Sequence, residues 1–182
     1  TDKAFLKIGD KTFVENAIEA LKPNCQKVSV VLNKTQTDFI DKLPPETPYI
    51  FDIFENRGAL GGIHAAIENC KTEFAVILAC DMPFITANAV EKLCEIAADS
   101  EGFSVFVPRD PTGRLQPVFA VYNAAKCISK VRGFLEDNSK SAVHIFLNQI
   151  EFAAVDAARL ETESNIFENM NFPKDFAKLR SP

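Results

Sequence analysis

The stretch Glu73-Phe74-Ala75-Val76-Ile77-Leu78-Ala79-Cys80-Asp81-Met82-Pro83-Phe84-Ile85 decides how the rest of the chain is read. From Phe74 to Ala79 the residues are apolar without alternation, the pattern of a strand buried on both faces of a parallel sheet. The run ends at Cys80-Asp81, and Pro83 has no N–H to carry a ladder onward. A carboxylate at the carboxyl end of a central parallel strand lies in the crevice where open α/β sheets bind ligands. Asp81 is therefore the leading candidate for a metal-binding residue. The same residues also suit a plain turn, with Asp81 capping it and Thr86 capping the next helix.

On the amino-terminal side, residues 4–9 read as a short strand or extended loop ending in a turn. Thr12 and Glu15 have capping-box spacing, opening a helix whose apolar stripe is Val14, Ala17, Ile18 and Leu21. Residues 27–33 (KVSVVLN) read as a buried strand ending in Asn33, and a short helix follows over 37–43. Residues 49–52 form another strand ending in a carboxylate, Asp52. The loop 55–62 (ENRGALGG) is dense in glycine and leads into a helix over 63–69. A further helix is expected over 87–98, with Val90, Leu93, Ile96 and Ala97 inward.

Beyond Gly102 the rhythm changes to two strands, 103–107 and 118–122, joined by the polar turn 109–114. A helix over 124–135, a segment at 141–148, a strand over 152–155 and a last helix after Pro173 complete the chain. Crossover spacing in the first part implies a mostly parallel, doubly wound sheet. With no repeat, linker or low-complexity tract, residues 1–182 read as one domain.

Composition narrows the function classes. A chain of 182 residues, 47% hydrophobic and 25% charged, suits one α/β domain with a sizeable core. A formal charge of -5 and a pI near 5.1 argue against broad binding to nucleic acid or acidic membranes. A small anionic ligand needs only a few local donors and stays open. No apolar run approaches a membrane span, and no secretory signal is visible. Cys25, Cys70, Cys80, Cys94 and Cys127 form no C-x-x-C pair, which fits a reducing cytoplasm, and Cys70, Cys80, Cys94 and Cys127 lie in apolar patterns and are expected to be reduced and mostly buried. His64 and His144 are far apart and read as helix-lining residues rather than metal ligands.

Asn33, Asp52 and Asp81 each end a strand, and in a parallel sheet such ends share one edge. Gly58, Gly61 and Gly62 permit positive φ and close approach of a ligand to a helix N-terminus. A tight turn without a ligand is the plainer account of that loop. No Walker A, G-x-G-x-x-G or Ser/His/Asp order is present. Asn169 and Asn171 precede Pro173, a pattern that also suits capping of the last helix.

Several short motifs occur together in one order: Asp2-Lys3-x-x-Leu6-x-x-Gly9, the ALGGI loop, Cys80-Asp81-Met82-Pro83-Phe84, Arg114-x-Gln116-Pro117-Val118 and Phe167-x-Asn169-x-Asn171-x-Pro173. This set resembles the molybdenum cofactor guanylyltransferases, within the wider nucleotidyltransferase group, and the resemblance covers nearly the whole chain. It implies a Rossmann-like three-layer α/β/α nucleotidyltransferase fold, with a mostly parallel sheet carrying an antiparallel strand. It implies transfer of GMP from GTP to molybdopterin with release of pyrophosphate. Lys3 then matches a lysine that closes a glycine-rich nucleotide signature and serves catalysis. Asn33, Asp52, Gly61 and Gly62 fall on the nucleotide side. Asp81 matches the aspartate that holds Mg²⁺ and contacts the nucleotide, while Asn169 and Asn171 match positions on the molybdopterin side. Lys140 lies near a basic position of the family.

GTP and molybdopterin are thus the expected small-molecule partners, alongside proteins that deliver molybdopterin or mature molybdoenzymes. Such proteins begin with a strand and a loop of the type L-A-G-G-x-S-x-R-M-G before the Asp-Lys pair. The sequence here starts at that pair, so it is expected to begin after such a strand and loop. The rival expectations are a nucleotidyltransferase using CTP or a sugar phosphate, and a non-catalytic nucleotide-binding module.

Overall fold

Thr12 opens the first helix through reciprocal hydrogen bonds: the Glu15 N–H donates to Thr12 Oγ1 (3.3 Å), and Glu15 Oε2 accepts from the Thr12 N–H (2.6 Å). This computed structural model describes residues 3–137, 142–160 and 164–168. A 3₁₀ turn (Lys3–Phe5) and an antiparallel pair, β1 (Lys7–Ile8) and β2 (Lys11–Thr12), lead into α1 (Phe13–Leu21). Val14, Ala17 and Ile18 are buried along its stripe, and Phe13 and Ala20 widen it.

Then come β3 (Val30–Leu32), a 3₁₀ turn (Thr37–Lys42) and β4 (Tyr49–Phe51). β3 and β4 are parallel, Leu32 facing Phe51, and the Asp52 N–H extends the ladder by donating to the Leu32 carbonyl at 2.8 Å. Helix α2 (Gly58–Asn69), strand β5 (Phe74–Leu78) and helix α3 (Ala87–Ala98) follow. The hairpin of β6 (Val105–Arg109) and β7 (Phe119–Asn123) leads to α4 (Ala124–Glu136), α5 (Val143–Leu147) and β8 (Phe152–Asp156).

The larger sheet has the order β5-β7-β6-β8. β7 is antiparallel to both β5 and β6, whereas β6 and β8 are parallel. β5, β6 and β8 therefore run in one direction and end at a common edge. Alternation in β6 and β7 separates the two faces. Val105, Val107, Ala120 and Tyr122 pack with α2 and α4 through Leu60, Ile63, Ile67, Val131 and Leu135. Phe106, Phe119 and Val121 pack with α3 through Val90, Leu93 and Ala97. Full burial of each large apolar side chain contributes roughly 1.5–3 kcal/mol, so these two helix layers fix the sheet between them.

Several sequence expectations are corrected. β3 and β4 form a separate two-stranded sheet rather than joining β5 in one doubly wound sheet, although α2 packs against all three. β5 meets an antiparallel neighbour, and only Ala75 in it is buried, the other four residues being half-buried. The physical reason is its position at the end of the sheet order: among the described residues its second edge has no strand partner. Helix α2 begins at Gly58 rather than residue 63, so the glycines belong to its first turns. Of the five unpaired cysteines only Cys127 is buried, and the rest are half-exposed. No helix among the described residues is long and apolar enough to cross a membrane.

Candidate active site

Asn33 and Asp52 follow the carboxyl ends of the parallel pair β3 and β4, and so lie at one edge of that sheet. Asn33 is exposed, and its backbone N–H donates to Gln36 Oε1 at 2.9 Å, closing the turn that leaves β3. Asp52 differs in kind. It is buried, and its Oδ1 accepts from the Phe54 N–H at 2.8 Å. Burial raises its carboxyl above the usual range, against the lowering effects of the Phe54 N–H, His64 and Lys34.

The start of α2 is built around this carboxylate. Gly58 has φ +55° and follows Asn56 at φ +60°, a left-handed pair that turns the chain sharply into the helix. A Cβ placed on Gly61 would stand 2.4 Å from Asp52 Oδ2. Gly61 is thus required by Asp52, a role that loop composition did not disclose. Gly62 has ordinary room, its nearest neighbour being Val31 Cγ1 at 3.9 Å. One turn on, His64 is fully buried, edge-on to Phe54 at 4.8 Å, and neither ring nitrogen has a protein partner. Burial lowers its pKa, against the opposing pull of Glu68 and Asp52.

Asp81 lies three residues beyond β5, half-buried in a turn where the Met82 N–H donates to the Ala79 carbonyl at 3.2 Å. Thr86 Oγ1 accepts from the Ala89 N–H (3.2 Å) and caps α3, as the sequence predicts. Among the described residues no group of three His, Cys, Asp or Glu side chains forms a ready-made metal cage. Lys3 opens the first 3₁₀ turn and is exposed. Phe5, in the same turn, meets Phe39 edge-on at 5.1 Å and so ties this segment to the turn leaving β3. Asn169, Asn171 and Lys140 lie outside the described residues.

Sequence reading singled out Gln116 only as part of a motif. The Gln116 N–H donates to the Pro108 carbonyl at 2.8 Å, which seats Gln116 against the end of β6, at the carboxyl edge of the sheet that also carries Asp81. Gln116 is buried, and its Nε2 donates to Asp110 Oδ2 at 2.9 Å. The signal was present in the Asp-Pro-Thr-Gly turn at Asp110, whose carboxylate is of the kind that organises such loops.

The helix-sheet-helix sandwich, with carboxylates at strand ends and a glycine-bearing helix start, has the nucleotidyltransferase fold of the solved structures it resembles. A solved structure of that fold, molybdopterin-guanine dinucleotide biosynthesis protein A from Archaeoglobus fulgidus, superimposes with a TM-score of 0.80 at 22% identity, covering 98% of this chain and 89% of that one. The chain belongs to the MobA-like NTP transferase domain family, whose model matches residues 1–150. It is 27% identical over 180 residues to a molybdenum cofactor guanylyltransferase of Vibrio parahaemolyticus, covering 98% of this chain and 86% of the relative. It is 32% identical over 144 residues to a probable molybdenum cofactor guanylyltransferase of Clostridium perfringens, covering 78% and 67% respectively.

Proposed function

We propose that this protein transfers GMP from GTP to molybdopterin, forming the guanine dinucleotide cofactor and releasing pyrophosphate. The observation that carries the reading is the close approach of Asp52, at the carboxyl end of β4, to Gly61 in the first turn of α2, in a chain of this family. Asn33, Asp52 and the backbone around Gly61 and Gly62 bind the nucleotide, with Asp52 accepting donors from it. An exposed Lys3 neutralises phosphate charge as a point cation. Asn169 and Asn171 are assigned to the molybdopterin side by the resemblance of the tail motif.

In the reaction a phosphate oxygen of molybdopterin attacks the α-phosphorus of GTP. The bond between that phosphorus and the bridging oxygen to the β-phosphate breaks, and pyrophosphate leaves. The nucleophile is already ionised at neutral pH, so no general base is needed. Catalysis is then positioning and charge neutralisation. Asp81 offers a hard oxygen donor, which fits Mg²⁺, an ion that takes one or two carboxylates and otherwise binds waters and substrate phosphates. Bound there, the ion would supply charge neutralisation on the phosphates.

The test is dinucleotide formation by the full-length protein with molybdopterin, Mg²⁺ and each of GTP and CTP. GTP is expected to be the better donor, and Asp81→Asn is expected to abolish transfer while the protein still melts cooperatively. Faster transfer from CTP would overturn the substrate assignment, and near-normal turnover by Asp81→Asn would overturn the role of Asp81.

A further inference from the structure

The β6–β7 hairpin tip, residues 109–114, is a braced structure that the reading above leaves unused. Asp110 Oδ1 accepts from the Thr112 N–H (2.9 Å), Thr112 Oγ1 (2.6 Å) and the Arg114 N–H (3.0 Å), while Oδ2 accepts from Gln116 Nε2 (2.9 Å). The backbone is closed as well: the Asp110 N–H donates to the Arg114 carbonyl, and the Gln116 N–H to the Pro108 carbonyl. Four donors on one carboxylate neutralise its acceptor capacity and fix the loop. Nearby, Asp156 at the end of β8 faces Arg109 at 4.0 Å. Both acids at this tip are therefore engaged. Arg114 is exposed, and among the described residues its guanidinium has no hydrogen-bond or ion-pair partner.

Its position gives that cation a use. β6 and β5 run in the same direction, so the tip stands at the carboxyl edge that carries Asp81. The Ala79 N–H donates to the Val118 carbonyl at 2.8 Å, the Gln116 N–H donates to the Pro108 carbonyl at 2.8 Å, and Arg109 bridges Leu115, which closes the hairpin just before its tip. Arg114 lies opposite Asp110 in the tip, and so stands at the sheet edge to which the Asp81 turn belongs. Asn33 and Asp52, by contrast, come from the separate β3–β4 sheet.

We propose that Arg114 binds the phosphate of the second substrate, the group that attacks the nucleotide, and that Asp110 and Gln116 are positioning residues for it. A guanidinium matches a phosphate with two parallel N–H donors, which orients the attacking oxygen as well as binding it. The inference rests on the transferase reading above. A phosphate here has two sources, the molybdopterin phosphate and the GTP tail, and we commit to the first.

The experiment measures KM for molybdopterin and for GTP in the full-length protein and its variants, with fluorescence titration of molybdopterin binding alongside. Arg114→Gln is expected to raise the molybdopterin KM and Kd by about 10–100-fold, with the GTP KM and the melting temperature unchanged. Arg114→Lys should recover part of the loss. Asp110→Ala should raise the molybdopterin KM more than it lowers kcat, and adding it to Arg114→Gln should cost nothing further. An unchanged molybdopterin KM in Arg114→Gln, or a rise in the GTP KM instead, overturns the inference while the transferase reading stands. A wild-type protein that transfers nothing from GTP overturns both.

Discussion

Burial lifts the Asp52 carboxyl, and the Phe54 N–H, His64 and Lys34 offset that only in part. Because the folded-state pKa is the higher one, the folded protein binds more protons than the unfolded chain between the two values. Stability is therefore lost as pH rises through the folded pKa, and at neutral pH the cost of the charge is fully present. Asp52→Asn removes the charge and keeps an oxygen for the Phe54 N–H. It is expected to raise the melting temperature at neutral pH, with the gain vanishing below about pH 4, while GTP affinity falls. Thermal melts across that range check the sign, and a lower melting temperature at neutral pH would show the carboxylate to be stabilising. A gain in stability with a loss of binding is the signature of a residue kept for its ligand.

Helix α2 makes the corresponding case for an element. Its two adjacent glycines look alike in sequence and are not alike in space. Gly61→Ala would drive a methyl into the Asp52 carboxylate, and overpacking of this kind costs ~1–3 kcal/mol. Gly62→Ala has room, and alanine improves helix propensity by about 1 kcal/mol. Chemical denaturation should therefore separate the two, with Gly61→Ala destabilised and Gly62→Ala as stable as the parent or more so. Equal destabilisation of both would overturn this account. If Gly62→Ala then loses GTP binding at undiminished stability, the second glycine serves the ligand. Local signals were well read elsewhere: the Thr12 cap, the Thr86 cap and the 87–98 helix follow from near-neighbour chemistry that a sequence states directly. The partner of Gly61 is nine residues away, and no local pattern names it.

At the scale of the molecule, the strand-end polar residues were legible because parallel strands must end together. The pairing of strands was less so. The run 74–79 reads as a central strand of a parallel sheet from its composition, yet its strand partner among the described residues, β7, is antiparallel. The Asp110–Gln116 brace was likewise hidden, since a hairpin's register is set by its turn rather than by its apolar pattern.

The lopsided pairing of β5 has a consequence in exchange kinetics. Its bond from the Ala79 N–H to the Val118 carbonyl sets the alternation, so the amides of Ala75, Ile77 and Ala79 face β7. Those of Phe74, Val76 and Leu78 face the other way, toward the edge with no strand among the described residues. Native-state deuterium exchange followed by NMR should therefore show a period of two along a single strand: slow, fast, slow, fast. Uniform protection from Phe74 to Ala79 would mean that this edge is covered in solution. With the alternating pattern, the row of open amides is a ready template for a further extended segment to pair with β5.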